Sequence, residues 1–218
     1  RSMKKKKVLL PILAAIGMIF TSVSTCSVFA EINTDVLLSG KYNAEIVIED
    51  YGTIQLELDA DAAPITVTNF VKLANDGFYD GLTFHRIING FMMQGGDPLG
   101  NGTGGSEEKI KGEFSSNGVE NPISHKRGVI SMARAMDKDS ASSQFFIMHQ
   151  DGEFLDGEYA AFGEVTEGIE VVDEICENAE VTDNNGTVKE GTQPVIESIT
   201  ISEGALQNDA HPSEFVGN

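Results

Sequence analysis

The sequence predicts a mainly β protein: a barrel of short strands with two helices packed against it. Three observations carry this. Residues 43–58 alternate apolar and polar positions, with Ile46, Ile48, Ile54, Leu56 and Leu58 on one face, the period of a half-buried strand pair. Residues 82–165 then break into short apolar runs, at 82–88, 91–95, 129–133, 144–149 and 161–165, separated by Gly, Asn and Asp. Many short strands with glycine-rich links favour a closed β architecture. Helical spacing is found in only two places.

In chain order, the first pair of runs is separated by Tyr51-Gly52, which reads as the tight turn of a hairpin. Asp61-Ala62-Ala63-Pro64 announces the first helix, with Asp61 or a neighbour as cap and Pro64 in the first turn. Val67, Phe70, Val71 and Ala74 follow at helical spacing, and Gly77 closes the element. A second helix is expected over 168–178, burying Ile169, Val172, Ile175 and Cys176, and a last strand over 194–202. Residues 180–193 are polar and glycine-containing and read as an exposed loop. Residues 31–42 read as a linker, 43–204 as the folded domain, and 205–218 as a flexible tail.

The first thirty residues have a different character. Lys4 to Lys7 precede an apolar run over 8–20, followed by small and polar residues. That run is short for about 30 Å of hydrocarbon, which needs roughly 20 residues. A basic start, a short apolar middle and a small-residue end read as a secretory signal, with cleavage expected after Ala30. A bacterial lipoprotein box ending at Cys26 is the rival; only in that case is membrane attachment expected, through lipid on Cys26. Cleavage after Ala30 leaves Cys176 alone, so no internal disulfide is expected.

The formal net charge is −19, with 34 acidic and 15 basic residues. Such a surface repels phosphate backbones and anionic lipid, which argues against nucleic-acid binding and suits solubility outside the cell. His85, His125, His149 and His211 show no metal-ligand spacing, and no calcium loop is present. The Gly102 to Gly105 stretch lacks the Lys-Ser/Thr of a phosphate loop and reads as a flexible loop, while Ser142-Ser143 lacks a nucleophile-elbow context. No metal or cofactor is expected.

The chemistry-bearing segment is Phe84-His85-Arg86-Ile87-Ile88-Asn89-Gly90-Phe91-Met92-Met93-Gln94-Gly95-Gly96-Asp97. It is followed by Gly102-Thr103-Gly104-Gly105, Ser131-Met132-Ala133-Arg134, Ser142-Ser143-Gln144-Phe145-Phe146-Ile147, Leu155-Asp156-Gly157 and Phe162-Gly163-Glu164-Val165. In order and spacing, over residues 43–202, this resembles the cyclophilin-type peptidyl-prolyl cis/trans isomerases. The resemblance implies a closed eight-stranded antiparallel barrel capped by two α-helices, with peptide held in an outer groove. It implies Arg86 as the catalytic arginine, Gln94 as its support and backbone ligand, and Phe91 beside them. Phe91, Met92, Phe146 and Leu155 are implied as the proline pocket, and Ala133, Arg134 and Gln144 as the groove rim.

Three positions depart from the family pattern, the mildest being Asn89 for a proline before Gly90, which is expected to change only turn stiffness. Phe154 stands where cyclosporin-sensitive relatives carry tryptophan, so the indole donor is lost and weak cyclosporin binding is expected. Tyr159 replaces a pocket histidine and keeps an aromatic wall. The expected substrate is a proline-containing polypeptide, and the expected state a monomer. A secreted peptide-binding module or holdase with little catalytic role is the alternative; the presence of Arg86, which binding alone does not require, favours the enzyme.

Overall fold

A computed structural model describes residues 34–204. The signal segment, Cys26, the cleavage point after Ala30, the start of the linker, His211 and the tail over 205–218 lie outside the described residues.

Eight strands and two helices appear: β1 (Lys41–Ile48), β2 (Gly52–Asp59), α1 (Pro64–Asn75), β3 (Thr83–Ile88), β4 (Met92–Asp97), β5 (Val129–Met132), β6 (Phe145–Met148), β7 (Ala161–Glu167), α2 (Ile169–Asn178) and β8 (Ile196–Glu203). All pairings are antiparallel, in the order β3-β4-β6-β5-β7-β2-β1-β8. Among the described residues no ladder joins the two ends of this curled sheet. β3 meets the residues immediately before β8 at an isolated bridge, Thr83 with Val195. There Phe84 N–H donates to Pro194 O at 2.9 Å and Ile196 N–H to Leu82 O at 2.8 Å. The continuous closure expected from the resemblance is therefore reduced to a short seam.

Alternation along the strands sorts the apolar residues into two clusters. The larger draws on every strand and both helices, with Phe70, Tyr79, Phe84, Phe145 and Phe162 among its buried rings. Phe70 and Phe84 each meet Phe145 edge-on, at centroid distances of 5.5 and 5.9 Å, an arrangement that aromatic quadrupoles favour. The smaller cluster lies on the opposite strand face, where Met92, Val129, Phe146, Met148, Leu155 and Ala161 pack together. Neighbours in sequence thus serve different clusters: Met93 and Ile147 the larger, Met92 and Phe146 the smaller.

Three expectations need correction. Helix α1 begins after Ala63 with no side-chain cap from its own flank. Asp61 instead accepts from the N–H of Gly40 at 2.8 Å. The orphan donors of the first turn are met by Glu113, far along the chain: Oε1 accepts from Ile65 N–H at 3.0 Å, and Oε2 from Thr66 N–H and hydroxyl at 2.8 and 2.7 Å. The last residues assigned to the linker are part of the fold. β1 starts at Lys41, and Leu38 is buried in the core with its N–H on Thr68 Oγ1 at 2.9 Å. Residues 102–105 are tethered rather than loose: the Asp97 carboxylate accepts from the N–H of Leu99, Asn101 and Gly102 at 2.8, 3.2 and 2.6 Å. A Cβ on Gly104 would stand 2.1 Å from Asp97 Oδ1, so only glycine lets the loop close over the carboxylate.

Candidate active site

The position of Arg86 depends on an irregularity in β3. Phe84 and Ile87 both belong to the core, although strict alternation would put Phe84 with Arg86 instead. The register slips between Phe84 and Arg86, with Phe84 opposite Gly95 and Arg86 opposite Gln94. This bulge accommodates His85 as the extra residue and turns Arg86 to the outer face. The His85 ring is buried, and neither ring nitrogen has a protein hydrogen-bond partner. Burial holds its pKa below the ordinary histidine range, with Asp97 opposing and Arg86 reinforcing that shift.

On that outer face lies a cleft of about 310 Å³ lined by Arg86, Phe91, Met92, Gln94, Ala133, Arg134, Phe146, Phe154, Leu155 and Tyr159. Of the residues that the sequence nominates, only Gln144 is absent from this lining. It borders an adjoining cleft of about 350 Å³, which shares Gln94, Ala133 and Arg134 with the first and reaches Gly102 to Gly105. A line of hydrogen bonds crosses both. Arg86 Nη1 donates to Gln94 Oε1 at 3.2 Å, Gln94 Nε2 to Gln144 Oε1 at 2.9 Å, and Gln144 Nε2 to Gly104 O at 2.7 Å. Each amide is thereby oriented, with its oxygen accepting from one side and its nitrogen donating to the other.

The cleft floor is apolar. Met92, Phe146 and Leu155 are buried within the smaller cluster, and Phe91 and Tyr159 pack against it. Tyr159 meets Phe146 edge-on at 5.8 Å. Phe154, on a turn of 3-10 helix at Glu153–Leu155, is 73% exposed and stacks on Phe91 at 5.5 Å. Arg134 has a structural use for its side chain. Its guanidinium lies over the rings of Tyr159 and Phe114, at 4.8 and 5.1 Å, and donates from Nε to Glu158 O at 3.0 Å. It thus braces the wall that carries Tyr159. Burial lowers the pKa of Arg86 from its usual value, while the charge of Asp183 works against the shift; a guanidinium nonetheless stays cationic at physiological pH.

Sequence reasoning missed the support beneath Phe146. His125 stacks on that ring at 6.0 Å, with Nδ1 2.8 Å from Asp156 Oδ1 and Nε2 2.9 Å from Ser131 Oγ. The order Ser, His, carboxylate resembles a hydrolase triad. Ser131 is fully buried, however, so no substrate carbonyl can reach its hydroxyl, and the group serves as a brace. No local pattern in the sequence links these three positions. Cys176 is buried on α2, and burial pushes its thiol up to about 12, which leaves it inert at neutral pH.

The family described as cyclophilin type peptidyl-prolyl cis-trans isomerase/CLD matches residues 44–203. Peptidyl-prolyl cis-trans isomerase B of Bacillus subtilis is 52% identical over 124 residues, covering 57% of this chain and 83% of that protein. A peptidyl-prolyl cis-trans isomerase of Helicobacter pylori is 52% identical over 126 residues, covering 57% of this chain and 74% of the relative. Among solved structures, a Cryptosporidium parvum cyclophilin type isomerase, crystallised in the presence of the dipeptide Ala-Pro, superposes with a TM-score of 0.65 at 31% identity. That superposition covers 74% of this chain and 99% of the other. With the family matched across nearly all of the described fold, the chain belongs to the cyclophilin-type peptidyl-prolyl cis-trans isomerases and is an isomerase.

Proposed function

We propose that the protein binds proline-containing polypeptides in the cleft beside Arg86 and accelerates their X–Pro rotation by hydrogen bonding and shape, with no covalent intermediate. The observation that carries this reading is the Arg86 guanidinium, held on Gln94 at 3.2 Å beside an apolar hollow. Amide rotation meets a barrier of about 20 kcal/mol because resonance must be broken. At the twisted midpoint the prolyl nitrogen becomes pyramidal and its lone pair can accept a hydrogen bond. A fixed cationic donor stabilises that state more than either planar one, as rate acceleration requires. Met92, Phe146 and Leu155 receive the pyrrolidine ring and take the amide out of water, which favours the less charge-separated twisted form. Gln94 orients the arginine and pairs with the peptide backbone, and Gln144 and Ala133 form the rim. The decisive measurement is NMR exchange spectroscopy on a short X–Pro peptide. A raised cis/trans exchange rate at micromolar protein is expected, and an unchanged rate rules the reading out.

The same reading places the protein outside the cytoplasm, acting on exported chains. Its support is the basic, apolar and small-residue order of the first thirty positions. N-terminal sequencing of exported material should begin near Glu31; the mass of a lipidated Cys26 terminus would establish the anchored form instead. Weak cyclosporin binding belongs to the same proposal, because Phe154 has no N–H donor to offer at the rim.

A further inference from the structure

The polar stretch between α2 and β8 folds back on itself against β3. Val181 and Val188 form an isolated bridge, Thr182 N–H donates to Thr187 O at 2.8 Å, and Lys189 N–H donates to Glu180 O at 2.8 Å. Asp183 organises the tip. Its Oδ1 accepts from the N–H of Asn185 at 2.9 Å and of Thr187 at 3.1 Å, and its Oδ2 from the Thr187 hydroxyl at 2.8 Å. The bonds from Thr187 hold the Asp183 carboxyl below the usual carboxylate range.

This tip lies directly on the strand that carries Arg86. Ile87 N–H donates to Gly186 O at 2.8 Å and Val188 N–H to His85 O at 3.0 Å, while Arg86 and Thr187 form a bridge. Gly186 has φ +83°, and a Cβ there would stand 2.4 Å from Ile87 O, so glycine is what permits the approach. As a result Asn185 O sits 2.9 Å from Arg86 Nε, and Asn185 Oδ1 3.4 Å from Nη2. The guanidinium is thus held at Nε and Nη2 by the hairpin and at Nη1 by Gln94.

We infer that the 183–187 tip is a positioning element for the isomerase reaction, in which Asp183 shapes the turn so that Asn185 fixes the direction of the Arg86 guanidinium. The inference rests on the reading of Arg86 as the hydrogen-bond donor to the twisted amide. A donor aimed in advance needs no reorganisation when that amide forms. Asn185 holds it through neutral oxygens, so the positive charge is oriented without being paired. The nearest carboxylate of the tip, Asp183, has its oxygens occupied by Asn185 and Thr187.

The test uses the full chain with Asp183→Ala, Asp183→Asn and Lys189→Ala. Three readouts are taken: X–Pro exchange rate, peptide affinity, and the NMR signal of the Arg86 Nε–H, assigned by its loss in Arg86→Lys. Asp183→Ala should slow exchange about tenfold, leave peptide affinity unchanged, and shift or broaden the Nε–H signal. Asp183→Asn keeps an acceptor oxygen and should restore most of the rate and the signal. Lys189→Ala breaks only an exposed pair with Glu180 and should change nothing. An unmoved Nε–H signal in Asp183→Ala overturns the positioning role, whatever the rate does. Wild-type activity in Arg86→Lys would overturn the catalytic reading beneath it, while the signal in the Asp183 variants would still report on the hairpin.

Discussion

Arg86→Ala slows X–Pro exchange at least tenfold, a loss of about 1.4 kcal/mol or more in transition-state stabilisation, while peptide affinity falls much less. The split follows from what the side chain meets at each stage. A planar prolyl amide has no lone pair on nitrogen to accept from Arg86, so the ground-state complex depends on the apolar floor and the rim. In the proposed mechanism the twisted amide has that lone pair, and the guanidinium stabilises it selectively. Exchange spectroscopy over a range of peptide concentrations separates the two quantities. Equal losses in rate and affinity would show that Arg86 only binds, and would favour a peptide-holding module over a catalytic arginine.

Glu113→Ala destabilises the fold by about 3 kcal/mol, read as a melting temperature lower by roughly 6–12 °C. Glu113 is 2% exposed and meets three donors of the first turn of α1, two of them backbone N–H groups. The same carboxylate faces the positive end of the helix dipole. Alanine removes the acceptors and leaves those donors buried without partners, the costly direction of the asymmetry between made and unmade hydrogen bonds. Glu113→Gln keeps one acceptor oxygen and should fall between the two. A loss below 1 kcal/mol in thermal or urea unfolding of Glu113→Ala would mean that water replaces the carboxylate without penalty.

Both variants bear on what a linear reading can see. The strands at Ile54, Leu56 and Leu58 and the helix at Val67, Phe70, Val71 and Ala74 were legible because each carries its own period over adjacent residues. The cleft residues were legible through their family motif, and all of them border one of the two joined clefts. Long-range polar contacts leave no such trace. Glu113 caps a helix that begins about fifty positions earlier, whereas local spacing points only to the nearby Asp61. Nothing local marks the bulge at His85, and simple alternation would send Arg86 into the core beside Phe84. Asn185 looks like any loop asparagine until the fold brings it to Arg86, ninety-nine positions away. Polar pairs across the fold are chosen by geometry, which composition and period do not encode.

The stretch from Val181 to Ile196 performs two tasks with one run of backbone. Its first part grips the arginine, and its end stitches the two borders of the curled sheet at Pro194 and Ile196. Loosening of this border is therefore expected to reach Arg86, which stands two residues from the seam at Phe84.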